Sequence, residues 1–146
     1  MFRIGLAFAT AAVSAASSAP VPGVSGRWYG EGVEIDGAFT QYLIERRDDG
    51  TFKIESRTPQ NCAAGTRVFV DTGRWRLEGG TLTMRTETMD GDKVDANDPE
   101  FNGRFRITVV DADHATVLDE DTSISWSMKR VDKDFAFPPS QGCDAS

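Results

Sequence analysis

The chain has 146 residues, with 23 acidic against 16 basic side chains and a formal net charge of −7. That length fits one domain with a single core. The acidic excess, with no basic stripe to offset it, argues against nucleic-acid backbones and anionic membrane surfaces as partners.

At the N-terminus, Arg3 precedes the apolar run Ile4 to Val13, and the small residues Ser14 to Ala19 follow. Charged, hydrophobic and small-residue regions in that order read as a secretory signal peptide. The run is shorter than the roughly 20 apolar residues that span a bilayer. Cleavage is expected after Ala16, because a cut after Ala19 would place Pro20 beside the scissile bond. Residues 1–19 are therefore assigned to the leader and its cleavage region, 20–134 to the folded domain and 135–146 to a C-terminal tail. The protein is expected to be exported, periplasmic or secreted. No cysteine lies near the cleavage site to take a lipid.

Eight strand-like segments follow: Gly26 to Ile35, Ala38 to Arg46, Thr51 to Arg57, Arg67 to Leu77, Thr81 to Thr88, Gly103 to Val110, Ala115 to Leu118 and Ser123 to Val131. Tight-turn signals separate them at Asp36-Gly37, Asp49-Gly50, Gly79-Gly80, Asp90-Gly91 and Asp111 to His114. Helical spacing is nowhere sustained, and there is no internal repeat.

The turns set a register. With Gly50 in the left-handed conformation, Arg46 faces Phe52, Ile44 faces Ile54 and Tyr42 faces Ser56. A two-residue Gly79-Gly80 turn sets Leu77 against Leu82 and Trp75 against Met84. A Glu120-Asp121 turn sets Val117 against Ile124 and Ala115 against Trp126. Bulk then gathers on one face and Lys, Arg, Thr and Ser on the other. With no amphipathic helix to cover the dry face, the sheet must meet itself. The expected fold is all-β, an eight-stranded antiparallel up-and-down barrel whose interior can hold one small ligand.

Gly26-Arg27-Trp28 at the head of the first strand, Arg130 two residues beyond Met128 on the face of Trp126, and the pieces Asp49-Gly50-Thr51-Phe52 and Gly73-Arg74-Trp75 carry a resemblance. From Gly26 to Val131 the chain resembles bacterial lipocalin-like proteins of the calycin type. The resemblance implies that Trp28 and Arg130 form a structural lock at the barrel base, a cation on an indole contributing about 0.5–2 kcal/mol. It also implies a small molecule in the interior. Very short connections and no helix after the barrel depart from the usual lipocalin pattern.

Rigid rings and adaptable thioethers suit a pocket for an apolar or aromatic ligand, which nominates Tyr42, Phe52, Trp75, Met84, Trp126 and Met128 as its lining; the alternative for each is plain core packing. Arg46 shares a face with Ile44 and Phe52 near a barrel end. There it either meets a ligand carboxylate at the mouth, or lies in water at the rim or against an internal acid. Strict alternation back from Trp75 puts Asp71 inside; a bulge at Gly73 would turn it out.

The acidic stretch Asp90 to Glu100 lacks calcium-loop spacing, since Val94 stands where a ligand is required. It reads as a solvated connection in which Asp98 caps a short turn begun by Pro99. His114, the one imidazole, follows Asp111 and Asp113 in a turn, and no serine has a nucleophile-elbow context, so no catalytic constellation, cofactor or metal site is expected. Cys62 and Cys143 are far apart in an exported chain and are expected to form a disulfide contributing about 3–5 kcal/mol, tying the tail to the body. The functional expectation is a monomeric barrel that binds a small, largely apolar molecule and is not an enzyme. The alternative is an interaction or protease-inhibitor-like barrel that engages an exported protein through Ser17 to Ser25 or through its open end.

Overall fold

A computed structural model describes residues 23–58, 67–109 and 111–138. The strands are β1 (Gly26–Val33), β2 (Phe39–Arg46), β3 (Thr51–Arg57), β4 (Phe69–Glu78), β5 (Thr81–Met89), β6 (Asp92–Lys93), β7 (Asn102–Val109), β8 (His114–Asp119) and β9 (Ser125–Arg130). Every pairing is antiparallel. The order runs β4-β3-β2-β1-β9-β8-β7-β5, and the β4–β5 pairing closes the ring. This is the expected eight-stranded up-and-down barrel. The ninth strand, β6, is a two-residue extension folded back on the end of β5 by the Asp90-Gly91 turn.

Two of the three turn arguments give the observed register. Gly50 has φ 84°, and Arg46 faces Phe52, Ile44 faces Ile54 and Tyr42 faces Ser56. Gly79 and Gly80 both have positive φ, and Leu77 faces Leu82 while Trp75 faces Met84. The third turn is longer than expected. The Asp119 carboxylate accepts from the backbone N–H groups of Asp121 and Thr122, and Ser123 takes φ 60°. Val117 therefore faces Trp126, and Ala115 faces Met128. A slip of two residues leaves every side chain on its own face, so the inward set survives the error.

Trp28, Phe52, Leu82, Met84, Ile107, Ala115, Val117 and Met128 form the buried core together with Val24. On β1, Gly30 and Gly32 leave room for Met128 and Trp126 to lie directly against the backbone; a Cβ at either position would overlap those side chains. The end of the barrel holding Gly23 to Ser25 is closed. Arg130 stacks its guanidinium 4.4 Å from the Trp28 ring centroid. It donates to the carbonyls of Gly23 at 2.7 Å, Ser25 at 2.9 Å and Ala112 at 2.9 Å. Of the segment Ser17 to Ser25 offered by the inhibitor-like reading, the last three residues, Gly23 to Ser25, are held against this floor. The rest of that segment, the leader and both cysteines lie outside the described residues.

The outer wall is not uniformly wet. Tyr29, Gln41 and Leu43 face outward yet are buried, because the chain after β9 returns across β1 and β2 to β3. Arg27 donates to the carbonyls of Asp132, Lys133 and Phe135. Phe135 and Phe137 pack on Tyr29 with ring centroids at 5.1 and 6.5 Å. Arg57 lies over the Phe137 ring and donates to the Pro138 carbonyl. As far as Pro138, the chain after β9 covers a side of the barrel.

Candidate functional site

A cavity of about 390 Å³ occupies the barrel interior. Its wall is apolar, built by Ile44 of β2, Ile54 of β3, Leu82 and Met84 of β5, Val117 of β8 and Met128 of β9. Tyr42, Phe105 and Trp126 add rings towards the open end, with the Tyr42 and Phe105 centroids 6.3 and 6.5 Å from that of Trp126. Carboxylates from four elements stand around the same end: Glu34 after β1, Asp71 near the start of β4, Glu100 in the 3-10 turn Pro99–Phe101 and Asp119 at the end of β8. That turn is capped by Asp98 with Pro99 in its first position, as its sequence implies.

Arg46 ends β2 at the closed end and is 2% exposed. Among the described residues its one polar contact is a 3.4 Å hydrogen bond from Nη1 to the Val24 carbonyl, and Nε has no partner. Both expectations of a mouth or rim position are therefore corrected. β2 descends from the open end at Phe39 to the closed end at Arg46, so the side chain is sealed in the floor with no acid beside it. Outside that floor is an open groove of about 600 Å³ lined by Ser25, Gly26, Arg27, Glu45, Arg47, Asp48 and Lys133, with Arg46 as its inner wall. Burial lowers the guanidinium pKa to about 10, which leaves it charged at neutral pH.

Asp71 faces inward, as alternation from Trp75 requires. The bulge exists, but its extra residue is Glu87 of β5: Thr72 pairs with Thr88 and Gly73 with Thr86. β4 keeps its alternation, and Asp71 stays inside. Its Oδ1 is buried without a hydrogen bond, as is Nε1 of Trp126. Burial, and secondarily the charge of Asp90, push the Asp71 carboxyl above its usual range. Tyr42 donates its hydroxyl to Glu34; burial and then this carboxylate push the phenol up, so it stays protonated at neutral pH.

The sign of the Asp71 shift gives a direct test. A raised folded pKa means that the ionised form is disfavoured at neutral pH and that the penalty is relieved as pH falls through the folded value. Asp71→Asn is therefore expected to match or exceed the parent in urea midpoint at pH 7, with any gain gone below about pH 3. A midpoint clearly lower at pH 7 would show that the ionised carboxylate is held by a partner.

Five nominated residues, Tyr42, Arg46, Met84, Trp126 and Met128, line one cavity. Phe52 and Trp75 face inward but lie in the packed closed end, outside the cavity lining. Phe52 is 1% exposed and packs against Gly73. Trp75 is drawn to the β2–β3 turn, its backbone N–H donating to Gly50 and its indole N–H to Arg47, at 2.8 and 2.9 Å. Sequence reasoning passed over Phe69 and Met89, which by register share the inner face with Tyr42 and Asp71 at the open end. Extending the alternation of β4 from Asp71 to Phe69 would have found the first. The Glu87 bulge hides the second. Val33, Ile35 and Val68 add exposed apolar surface to the same rim.

Among the described residues no group of three or more His, Cys, Asp and Glu side chains is placed to hold a metal ion. His114 pairs with Asp111 at 2.9 Å on the exposed outside of the closed end, away from the cavity. No protein-family model matches the chain, and no curated protein matches it.

Proposed function

We propose that this chain is an exported barrel of the lipocalin-like, calycin type that binds one small, largely apolar molecule in its interior and catalyses no reaction. The observation that carries this reading is the 390 Å³ cavity, whose apolar wall contains three polar atoms without partners: Arg46 Nε, Asp71 Oδ1 and Trp126 Nε1. Pockets of a few hundred Å³ with an apolar lining and a few convergent polar groups are the usual form of small-molecule sites. Buried polar groups left unpaired by the protein itself are the ones a ligand can satisfy. Proposed with it are a monomeric state, no cofactor and a periplasmic or secreted location.

The neutral apolar dye N-phenyl-1-naphthylamine tests the reading. Trp126 lines the cavity, so saturable quenching with a dissociation constant roughly in the micromolar range is expected. Val117→Trp fills the wall and is expected to abolish it. No saturable response, or an unchanged response in the filled variant, would sink interior binding. The second reading, a protein-interaction barrel, draws on Val33, Ile35, Val68, Phe69 and Met89, the exposed large apolar residues gathered at the open end. It gains if the dye is ignored and charged substitutions at Ile35 and Val68 abolish capture of a defined exported protease.

A further inference from the structure

A purely apolar occupant would leave Arg46 as it stands, a charged group in the floor with one long hydrogen bond and no counter-ion among the described residues. Removing a charge from water costs several kcal/mol unless an opposite charge or hydrogen bonds offset it. The open end has the opposite character. Glu34, Asp71, Glu100 and Asp119 surround it, together with the ring faces of Tyr42 and Trp126. A simple organic anion satisfies Arg46 but must sit under this ring of carboxylates. A simple organic cation suits the carboxylates and the rings but leaves the floor uncompensated.

Resting on the interior-binding reading, we propose that the occupant is an elongated amphiphile with two unlike ends. Its anionic group, a carboxylate or an equivalent, lies on the Arg46 guanidinium at the floor. Its cationic or N–H-bearing group lies among the carboxylates and rings at the open end, where Asp71 Oδ1 is free to accept. Arg46 and Tyr42 are four residues apart on β2, about 13 Å at the usual strand rise, which sets the separation of the two ends. Between them the apolar wall takes the ligand's chain.

Displacement of bound N-phenyl-1-naphthylamine by ω-aminodecanoic acid, decanoic acid, decylamine and decanol measures each end separately. The two-ended acid is expected to displace the dye about tenfold better than either single-ended compound, equivalent to about 1.4 kcal/mol. Arg46→Met should erase its advantage over decylamine, and Arg46→Lys should keep most of it. Asp71→Asn with Glu100→Gln should erase its advantage over decanoic acid and leave its advantage over decylamine. If the dye binds but decanol competes as well as ω-aminodecanoic acid, or if the ranking is the same in the floor and mouth variants, the two-ended occupant is wrong and interior binding stands. If the dye does not bind at all, interior binding fails and this inference falls with it.

Discussion

Arg46→Met is expected to make the protein more stable, by about 2 kcal/mol in urea unfolding at pH 7. Burial lowers the folded pKa of Arg46 from the usual arginine range to about 10. A shift of that size corresponds to roughly 3 kcal/mol of disfavour for the charged form in the fold. Methionine fills a similar elongated space without a charge. Against the gain stands the long hydrogen bond to the Val24 carbonyl, an interaction contributing about 1 kcal/mol when well formed. The pH dependence carries the sign. Between the folded and unfolded pKa values the unfolded chain binds a proton that the native state has released, so the parent protein gains stability there. The advantage of the methionine variant is full below pH 10 and shrinks above it. Chemical unfolding at pH 7 and near pH 11 checks both points. A variant less stable than the parent at pH 7 would mean that the guanidinium is held in the fold, and a constant difference at both pH values would remove burial as the cause.

A residue that costs stability where it stands is a good candidate for a binding group, and its position shows where sequence reasoning reached and stopped. Gly50 and the Gly79-Gly80 pair fixed two hairpins, because a left-handed turn residue leaves little freedom in the pairing beside it. The β8–β9 hairpin carried no glycine, and its register was misjudged by two residues. Period-two alternation made that error harmless to the faces. Depth along the axis was not legible in the same way. Arg46 and Tyr42 share a face by counting, but which one lies at the floor depends on where the chain enters and which loops close that end. Gly23 to Ser25 and Arg130 decide this through carbonyl contacts that leave no pattern in the sequence. Trp75 faces inward by the same counting, yet its indole is claimed by a backbone carbonyl of the adjacent turn. The outer wall was the larger omission. Tyr29, Gln41 and Leu43 alternate as outward positions should, and only the returning tail makes them a second, smaller packed surface.

That surface supports the other large effect. Phe135→Ala combined with Phe137→Ala is expected to lower stability by about 2–4 kcal/mol, since each half-buried ring gives up part of the roughly 1.5–3 kcal/mol of a fully buried one and Tyr29 loses both ring partners. Such a loss is a large share of the about 5–15 kcal/mol available to a domain. Beneath the rings runs a polar chain: Tyr29 donates to Glu31 at 2.7 Å, Gln41 donates to Tyr29 at 3.0 Å, and Arg57 donates to Gln41 at 2.6 Å. Gln41 and Arg57 also meet the Pro138 carbonyl, so loosening the tail admits water to groups now buried with it. The dye site should be spared, because none of these side chains faces the cavity. The double variant is therefore expected to unfold at lower urea while binding N-phenyl-1-naphthylamine as the parent does. Arg57 is five residues before Cys62, and Pro138 is five before Cys143. Arg57 meets the Pro138 carbonyl, and, if Cys62 and Cys143 pair as their place in an exported chain implies, thiol labelling of the unreduced protein is expected to find neither free. With such a bond, reduction should add to the cost of the double variant by less than the sum of the separate effects, because ring packing and a Cys62–Cys143 bond would restrain the same segment. Strict additivity would show that the two act on different parts of the fold, and a dye site lost with the rings while the barrel stays folded would show that the outer wall shapes the cavity after all.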